Sequence, residues 1–190
     1  TKSNVYNGFK ILDYNIFEKL KKDRNAQKIN ILEVVDLLKQ GKIIGLVEGG
    51  SEIGPRALGN RSIICDPSVS DMKNILNKKV KFREWFRPFA PVCRLEDMDT
   101  YFDAPYLKDK FHTKLKAICH IDGTARLQTV KKTQHKTFYS ILTELKNKDE
   151  IPIILNTSFN IKGQPILTTI EDVLFCLDNT EMDCVDSTSI

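Results

Sequence analysis

Two arginines lie five residues apart in a short segment rich in glycine and proline, Gly54-Pro55-Arg56-Ala57-Leu58-Gly59-Asn60-Arg61-Ser62. Glycine lets the backbone approach a ligand closely, and each guanidinium offers a planar pair of donors that matches phosphate or carboxylate oxygens. The segment follows an apolar run, residues 43–47, that is typical of a buried strand. These features predict an oxyanion-binding turn at the end of a strand.

The same segment resembles the start of a P-loop, because Gly54 and Gly59 have the spacing of its two glycines. A P-loop continues with Lys and Ser or Thr, whereas Asn60 and Arg61 follow here. Pro55 also lacks a backbone N–H that a phosphate cradle would use. We therefore exclude a P-loop.

Positive charge is concentrated in residues 54–94, which hold nine Lys or Arg and three acids. This local excess of six is larger than the net charge of +4 of the whole 190-residue chain. Aromatic residues alternate with the cations over residues 79–91. A solvated basic face, a compact anion pocket and a surface on which single-stranded nucleic acid stacks its bases are the open interpretations. Short Gly/Pro-bounded segments favour the pocket.

Two further polar segments follow strands or turns. Asn156-Thr157-Ser158-Phe159-Asn160 comes after an apolar run at residues 152–155, and the carboxyl end of a strand is where α/β sheets bind ligands. An Asx or Ser/Thr turn would explain the same residues equally well. His120 precedes the turn Asp122-Gly123-Thr124-Ala125-Arg126, but a metal site needs three or more ligands. We predict a hydrogen-bonded histidine there and no metal held by the protein.

Helices and strands alternate along the chain, which predicts an α/β fold. Asn30 with Glu33 resembles a capped helix start, apolar spacing continues to Leu38, and Gly41 ends the helix. Other predicted helices cover residues 71–78 (capped by Ser68 or Ser70), 96–102, 138–145 and the segment after a capping box at Thr168 and Glu171. Predicted strands lie at residues 43–47, 63–65, 89–95 (an edge strand because of its prolines), 115–120, near 130, 152–155 and 182–185.

Composition places the chain among globular proteins, with 41% hydrophobic and 28% charged residues. No apolar run is long enough to cross a membrane. Five cysteines without CxxC spacing argue against a disulfide framework or a zinc knuckle, so we expect a cytoplasmic protein. Because the chain starts at Thr1 rather than Met, we expect it to be a piece of a longer protein. One domain, with its core at about residues 30–186, is predicted.

Four segments together resemble one family. They are Glu52-x-Gly-Pro-Arg-Ala-Leu-Gly-Asn-Arg-Ser62, Val80-Lys-x-Arg-Glu-Trp-Phe-Arg-Pro-Phe-Ala-Pro91, His120-x-Asp-Gly-Thr-Ala-Arg-x-Gln-Thr-Val130, and Leu155-Asn-Thr-Ser-Phe-Asn160 with Gly163-x-Pro165-Ile. In this order they resemble the C-terminal part of the O-carbamoyltransferases of the nodulation-protein and antibiotic-tailoring type, over about residues 43–185. One departure is Glu48-Gly49-Gly50, where the family commonly has Gln-Gly-Arg, so one expected basic contact is missing.

The resemblance implies a YrdC/Sua5-like fold, a twisted mixed α/β sheet with flanking helices around a basic cavity. It implies binding of ATP, with Mg²⁺ bridging the phosphates, and of carbamoyl phosphate, followed by formation of carbamoyl-adenylate. In that family a separate N-terminal domain, similar to Kae1, passes the carbamoyl group to a hydroxyl-bearing small molecule. That domain is absent from this chain, so the transfer half-reaction is expected to need it.

With this resemblance we assign roles to the polar residues of the four segments. Arg56 is expected at phosphate or carbamoyl oxygens, Lys81 and Arg83 at the nucleotide phosphates, and Arg126 at the acyl phosphate, because charge neutralisation and positioning dominate such chemistry. Some of these arginines are alternatively expected to pair with Glu52, Glu84 or Asp122. The remaining predicted substrate- or nucleotide-binding residues are Arg61, Lys79, Arg87, Asp122, Asn156, Ser158 and Asn160.

Three other functions stay open. The chain is alternatively a threonylcarbamoyl-adenylate synthase that consumes bicarbonate and threonine, the chemistry of the similar fold. A second alternative is an RNA-binding module, although we do not favour nucleic acid as a partner. The third alternative is a structural half-enzyme whose site is completed only by the missing domain.

Overall fold

The computed structural model describes residues 18, 22–24, 29–54, 56–84, 86, 87 and 89–186. Its strands, in chain order, are β1 (Ile44–Val47), β2 (Arg61–Cys65), β3 (Ala90–Arg94), β4 (Phe102–Asp103), β5 (Tyr106–Leu107), β6 (Gln128–Val130), β7 (Ile153–Ser158) and β8 (Cys184–Asp186). Its α-helices are α1 (Ile31–Lys39), α2 (Met72–Leu76), α3 (Met98–Tyr101), α4 (Asp109–His112), α5 (Lys136–Asn147) and α6 (Ile170–Asn179). A π-helical turn, Asn77–Lys81, continues α2, and short 3₁₀ turns cover Leu95–Asp97 and Lys116–Ile118.

Six strands form one mixed sheet in the order β6-β3-β7-β2-β1-β8. The pairs β1/β8 and β3/β6 are parallel, and the other three pairs are antiparallel. Strands β4 and β5 form a separate two-stranded hairpin. The mixed α/β sheet with flanking helices predicted from the sequence is therefore confirmed.

Each face of the sheet carries its own apolar cluster. On one face, buried residues of α1 and α5 pack with Ile44, Ile64 and Ile154 of the central strands. On the other face, α2 and the π-helical turn pack against residues that include Ile63 and Leu155. Because successive residues of a strand point to opposite faces, β7 is buried on both sides and reads as a continuous apolar run up to Leu155. Its polar residues begin where the run ends.

Helix α1 begins as predicted. The side chain of Asn30 accepts hydrogen bonds from the backbone N–H groups of Leu32 (2.9 Å) and Glu33 (3.2 Å), and Glu33 accepts from the N–H of Asn30 at 2.6 Å. The capping box of α6 lies one residue later than predicted, at Thr169 and Asp172. Asp71, rather than a serine, precedes α2.

Two strand predictions are wrong. The predicted strand at residues 115–120 is a 3₁₀ turn at Lys116–Ile118, because the backbone bond from Leu115 N–H to Phe111 O (2.9 Å) continues the winding of α4. Strand β3 is not at an edge, since it lies between β6 and β7. Its ladder to β6 begins at Val92, one residue after Pro91, so the missing N–H of the proline does not interrupt that ladder.

Among the described residues, no helix is both long and apolar enough to span a membrane.

Candidate functional site

Three of the four sequence segments meet at one peptide group, between Ala57 and Leu58. The oxygen of Ala57 accepts from Asn156 Nδ2 (2.9 Å) and from Gln128 Nε2 (3.2 Å). The N–H of Leu58 donates to Glu52 Oε1 at 2.7 Å. Because the C=O and N–H of a trans peptide point in opposite directions, the peptide is held from both sides. The loop between β1 and β2, residues 48–60 and here called the arginine loop, is thereby fixed to β7 and β6.

A single carboxylate organises the inside of the arginine loop. Oε1 of Glu52 accepts from the N–H groups of Leu58, Asn60 (2.9 Å) and Arg61 (3.3 Å). The side chain is 7% exposed, and its Oε2 is buried without a hydrogen-bond partner among the described residues. Glu52 therefore shapes the loop through backbone donors.

Arg61, which is predicted to bind phosphate, makes several hydrogen bonds to backbone oxygens of the protein. The residue is fully buried, and its guanidinium donates to the backbone oxygens of Glu48 (2.6 Å), Asn60 (2.8 Å) and Gly49 (3.0 Å). Burial lowers the pKa of this guanidinium. Glu48 and Gly49 thus supply two of the three carbonyl groups that anchor Arg61. Its phosphate contact stays a prediction.

His135 supports the arginine loop from the start of α5, and the sequence analysis missed it. Its Nδ1 accepts from the N–H of Phe138 (3.2 Å), so Nε2 carries the proton and donates to Asn60 Oδ1 at 3.1 Å. The ring occupies the space beside Gly59, where an added Cβ would lie 2.2 Å from Nε2. Burial lowers the pKa of this imidazole, although Glu48 at 3.7 Å partly opposes that effect.

Lys81 lies at the carboxyl end of β7 and is 4% exposed. Its Nζ donates to the backbone oxygens of Ser158 (2.9 Å) and Asn160 (2.8 Å) and to Asn160 Oδ1 (2.6 Å). All three acceptors are uncharged, so they leave the positive charge uncompensated. Burial, with a smaller contribution from Arg83, lowers the pKa of Lys81 to about 7. A buried lysine of this kind is typical of a functional site.

Arg83 lies close to Lys81 in sequence, and two of its contacts are to uncharged groups. Its Nε donates to Asn77 Oδ1 at 2.9 Å, and its guanidinium carbon lies 4.4 Å from the centre of the Phe89 ring. Burial, followed by repulsion from Arg87, lowers the pKa of Arg83 to about 10, so it remains charged at neutral pH. The structure therefore places Lys81 and Arg83 of the second segment near Ser158 and Asn160 of the fourth. Their roles in nucleotide binding stay a prediction.

Lys79 and Arg87 each form an ion pair with a carboxylate. Both are predicted to bind substrate or nucleotide. Lys79 Nζ lies 2.8 Å from Glu181 Oε2, and Arg87 Nε lies 3.0 Å from Glu84 Oε2. Both ion pairs are solvent-exposed. The expectation that some cations pair with nearby carboxylates is met by Arg87, with Glu84.

The other predicted residues divide into exposed and buried groups. Arg56, Arg126 and Asp122 are exposed, and Arg126 is close enough to Arg83 to lower its pKa. Asp122 Oδ1 accepts from the N–H (3.0 Å) and hydroxyl (2.7 Å) of Thr124, as an Asx turn requires. The carboxylate therefore shapes the turn that carries Arg126.

Asn156 is 2% exposed, and its amide donates to Ala57 O and to Gln128 Oε1 (2.7 Å). Its Oδ1 is buried without a hydrogen-bond partner among the described residues. Ser158 Oγ donates to Asn160 Oδ1 at 2.7 Å. The polar end of β7 thus links Lys81 to the arginine loop.

Metal and thiol chemistry find little support in the described residues. They contain no group of three or more His, Cys, Asp or Glu side chains that could hold a metal ion. The five cysteines are free, and burial raises the pKa of Cys93 to about 12 and that of Cys65 further. A thiol held protonated by burial is a poor nucleophile.

Comparison with known proteins agrees with the resemblance seen in the sequence. The family model described as "Carbamoyltransferase C-terminus" matches residues 35–188. Nodulation protein NolO of Bradyrhizobium diazoefficiens is 38% identical over 161 residues, which cover 78% of this chain and 29% of NolO. The 3'-hydroxymethylcephem-O-carbamoyltransferase of Amycolatopsis lactamdurans is 35% identical over 153 residues, which cover 76% of this chain and 29% of that protein.

A solved structure shares the fold. The crystal structure of full-length HypF in the phosphate- and nucleotide-bound form matches with a TM-score of 0.56 and 18% identity, over 80% of this chain and 20% of that chain. The chain thus spans less than a third of the length of NolO, of the cephem carbamoyltransferase and of HypF. On its sequence match over residues 35–188 and its identity to these relatives, the chain belongs to the carbamoyltransferase C-terminus family.

Proposed function

We propose that this chain binds ATP and carbamoyl phosphate and forms carbamoyl-adenylate. The observation that carries the proposal is the buried lysine at the end of β7, because Lys81 Nζ is held by uncharged oxygens of Ser158 and Asn160. Burial, with a smaller contribution from the nearby Arg83, lowers its pKa. A ligand that brings several phosphate oxygens would favour the charged form of Lys81 and accept hydrogen bonds from both cations. Arg56 and Arg126, both exposed, are the proposed contacts to the acyl phosphate.

In the proposed reaction, water first cleaves the P–O bond of carbamoyl phosphate, which gives phosphate and carbamate. The phosphate leaves, and an oxygen of the carbamate attacks the α-phosphorus of ATP. The bond between that phosphorus and the β-phosphate oxygen breaks, and pyrophosphate leaves with Mg²⁺. Both steps need anions to be held close together, which uncompensated cations make less unfavourable.

The names of similar proteins support this chemistry. One relative is an O-carbamoyltransferase that is named for a hydroxymethyl cephem, and the structurally similar HypF was crystallised with phosphate and nucleotide. We propose a hydroxyl-bearing small molecule as the acceptor here as well, reached through an N-terminal domain of the longer protein. We also infer a YrdC/Sua5-like fold with a basic cavity, and a cytoplasmic location, where ATP is available.

The test is a direct search for the product. The 190-residue chain is incubated with Mg²⁺, ATP and carbamoyl phosphate, and carbamoyl-adenylate is sought by mass spectrometry while pyrophosphate is measured. Omitting carbamoyl phosphate is the matched control, and it should abolish pyrophosphate release. A parallel reaction with bicarbonate and threonine tests the threonylcarbamoyl alternative.

Measurements of ATP and RNA binding distinguish the remaining alternative functions. Calorimetry that detects no ATP binding would overturn the proposal. Affinity for RNA that falls steeply with salt, in place of nucleotide binding, would favour the nucleic-acid alternative. ATP binding without product would point to a half-enzyme, and adding the N-terminal domain of a relative in trans should then restore turnover.

A further inference from the structure

Gln128, the first residue of β6, lies in the third sequence segment but is not among the residues to which that segment assigns a role. Its Nε2 donates to Ala57 O at 3.2 Å, and its Oε1 accepts from Asn156 Nδ2 at 2.7 Å. Asn156 Nδ2 also donates to Ala57 O, at 2.9 Å. The three residues, which are distant in the chain, thus form a closed ring of hydrogen bonds.

The orientation of both amides in this ring is fixed by chemistry. The carbonyl oxygen of Ala57 can only accept, so both amide nitrogens must face it. The second hydrogen of Asn156 Nδ2 then goes to Gln128 Oε1. Gln128 therefore holds Ala57 in two ways, by donating to it directly and by orienting the side chain of Asn156.

The ring reaches across a strand of the sheet. Gln128 pairs with Val92 of β3, and Asn156 of β7 pairs with Ala90 on the other side of β3. Residues 90 and 92 point to the same face of the sheet, so the side chains of Gln128 and Asn156 do so as well. Their hydrogen bond therefore crosses over β3 and ties the edge strand β6 to the middle of the sheet.

The contact between Gln128 and Ala57 joins the two segments that carry Arg56 and Arg126. Arg56 directly precedes Ala57, and Arg126 lies two residues before Gln128. Both arginines are exposed. An exposed arginine has many rotamers, so a ligand that binds two of them costs less conformational entropy when their backbones are already fixed.

We propose that Gln128 is a positioning residue that holds Arg56 beside Arg126, so that both guanidinium groups reach one acyl phosphate. This inference rests on the proposed function, because it takes carbamoyl phosphate as the ligand of the two arginines. Gln128 does not touch that ligand. It acts through the backbone of Ala57, which fixes the point from which the side chain of Arg56 extends.

The first test replaces Gln128 by methionine, which is uncharged and of similar length. Gln128→Met removes the donor to Ala57 and the acceptor of Asn156. It should raise the KM for carbamoyl phosphate, measured by pyrophosphate release, about tenfold or more, because Arg56 is no longer held in place. The KM for ATP should change less than about twofold, since Lys81 is held by other residues.

Thr129→Val is the matched control for this variant. Thr129 is the next residue of β6, is exposed and points to the other face of the sheet. The variant should change either KM less than about twofold. Thermal unfolding shows whether Gln128→Met is folded. If it is not, Gln128→Glu, which keeps the acceptor for Asn156 and loses only the donor to Ala57, takes its place in each measurement.

A double-mutant cycle with Arg56→Gln separates positioning from direct contact of Gln128 with the ligand. If Gln128 acts through Arg56, Gln128→Met should raise the KM for carbamoyl phosphate less than about twofold further in that background. An undiminished effect would assign a direct contact and would overturn the positioning role. Equal rises in the KM for both substrates would show general damage to the fold and would overturn it as well.

Limited digestion with trypsin tests the positioning without turnover. Trypsin cleaves after arginine, and the bond between Arg56 and Ala57 lies in the arginine loop. Gln128→Met should be cleaved there several-fold faster than the unmodified protein or Thr129→Val, because the backbone beside that bond is held less firmly. An unchanged rate would overturn the inference and leave the proposed function standing. Faster cleavage in a protein that releases no pyrophosphate would instead remove the proposed function, and this inference with it.

Discussion

The ammonium group of Lys81 lies 2.6 Å from the side-chain oxygen of Asn160 and 2.8 Å from its backbone oxygen. One residue of the last sequence segment therefore accepts two of the hydrogen bonds that a lysine from the second segment donates. The two residues are 79 positions apart in the chain. Their contact gives the polar residues at the end of β7 a structural role, since Ser158 and Asn160 hold a buried lysine with uncharged oxygens.

Lys81 and Lys79 form a matched pair for mutagenesis, because they differ mainly in burial and partner. Lys81→Met should weaken Mg²⁺-ATP binding about tenfold or more, since a buried, charge-assisted contact to phosphate is lost. Lys79→Met removes a solvent-exposed ion pair with Glu181 and should change the affinity less than about twofold. Calorimetry on both variants measures the difference. Equal losses would mean that Lys79 also binds the nucleotide, as the sequence analysis predicts.

Proton uptake is the second prediction, and it follows from the lowered pKa of Lys81. With a pKa of about 7, most Lys81 side chains are neutral at pH 8 in the unliganded protein. A bound polyphosphate favours the ammonium form and raises that pKa, so ATP binding at pH 8 should take up a proton. Affinity should accordingly fall as the pH rises from 7 to 9.

Calorimetry at pH 8 in two buffers with different ionisation enthalpies measures this uptake. The Lys81→Met variant should show less uptake than the unmodified protein. The same uptake in both proteins would assign the proton to another group.

Local signals in the sequence predicted much of the fold. Asn30 and Glu33 form the predicted capping box because both partners lie within one helical turn. Residues 115–120 were predicted wrongly because a short apolar run fits a strand and a buried helical turn equally well. The choice was decided by Phe111, whose backbone oxygen accepts from the N–H of Leu115. For short apolar runs of this type, contacts with neighbouring residues decide the secondary structure.

The predicted site was less complete, because its supporting contacts join distant parts of the chain. Nothing local to His135 shows that its ring packs against Gly59 and donates to Asn60. Gln128 lay within a recognised segment, but its contact to Ala57 depends on how β6 and the arginine loop are placed. The sequence segments therefore did not indicate which residues hold the arginine loop in place, because those contacts join distant parts of the chain.

The third prediction concerns the space beside Gly59. Gly59 has φ +122° and Gly54 has φ +134°, so an alanine is strained by backbone conformation at both positions. An added Cβ at Gly59 would lie 2.2 Å from His135 Nε2, whereas no atom of the described part of the chain lies within 4 Å of one at Gly54. Gly59→Ala should therefore lower the free energy of unfolding by about 1–3 kcal/mol more than Gly54→Ala. Urea denaturation of both variants measures this, and equal losses would show that the ring moves aside at little cost.

The last prediction is a pH dependence of stability that comes from His135. Burial lowers the pKa of this imidazole from 6.5, so between the two pKa values the unfolded chain holds more protons than the folded protein. Stability from the neutral ring is then fully present above pH 6.5 and declines as the pH falls below it. The structural reason is that a proton on Nδ1 would face the N–H of Phe138, which removes the cap of α5. His135→Asn can still cap the helix and does not titrate.

The unmodified protein should therefore lose more stability than His135→Asn between pH 7.5 and pH 5, as measured by urea denaturation at each pH. At pH 7.5 the variant itself should be less stable by about 1–3 kcal/mol, because the hydrogen bond to Asn60 is lost. Parallel pH profiles for the two proteins would exclude His135 as the titrating group.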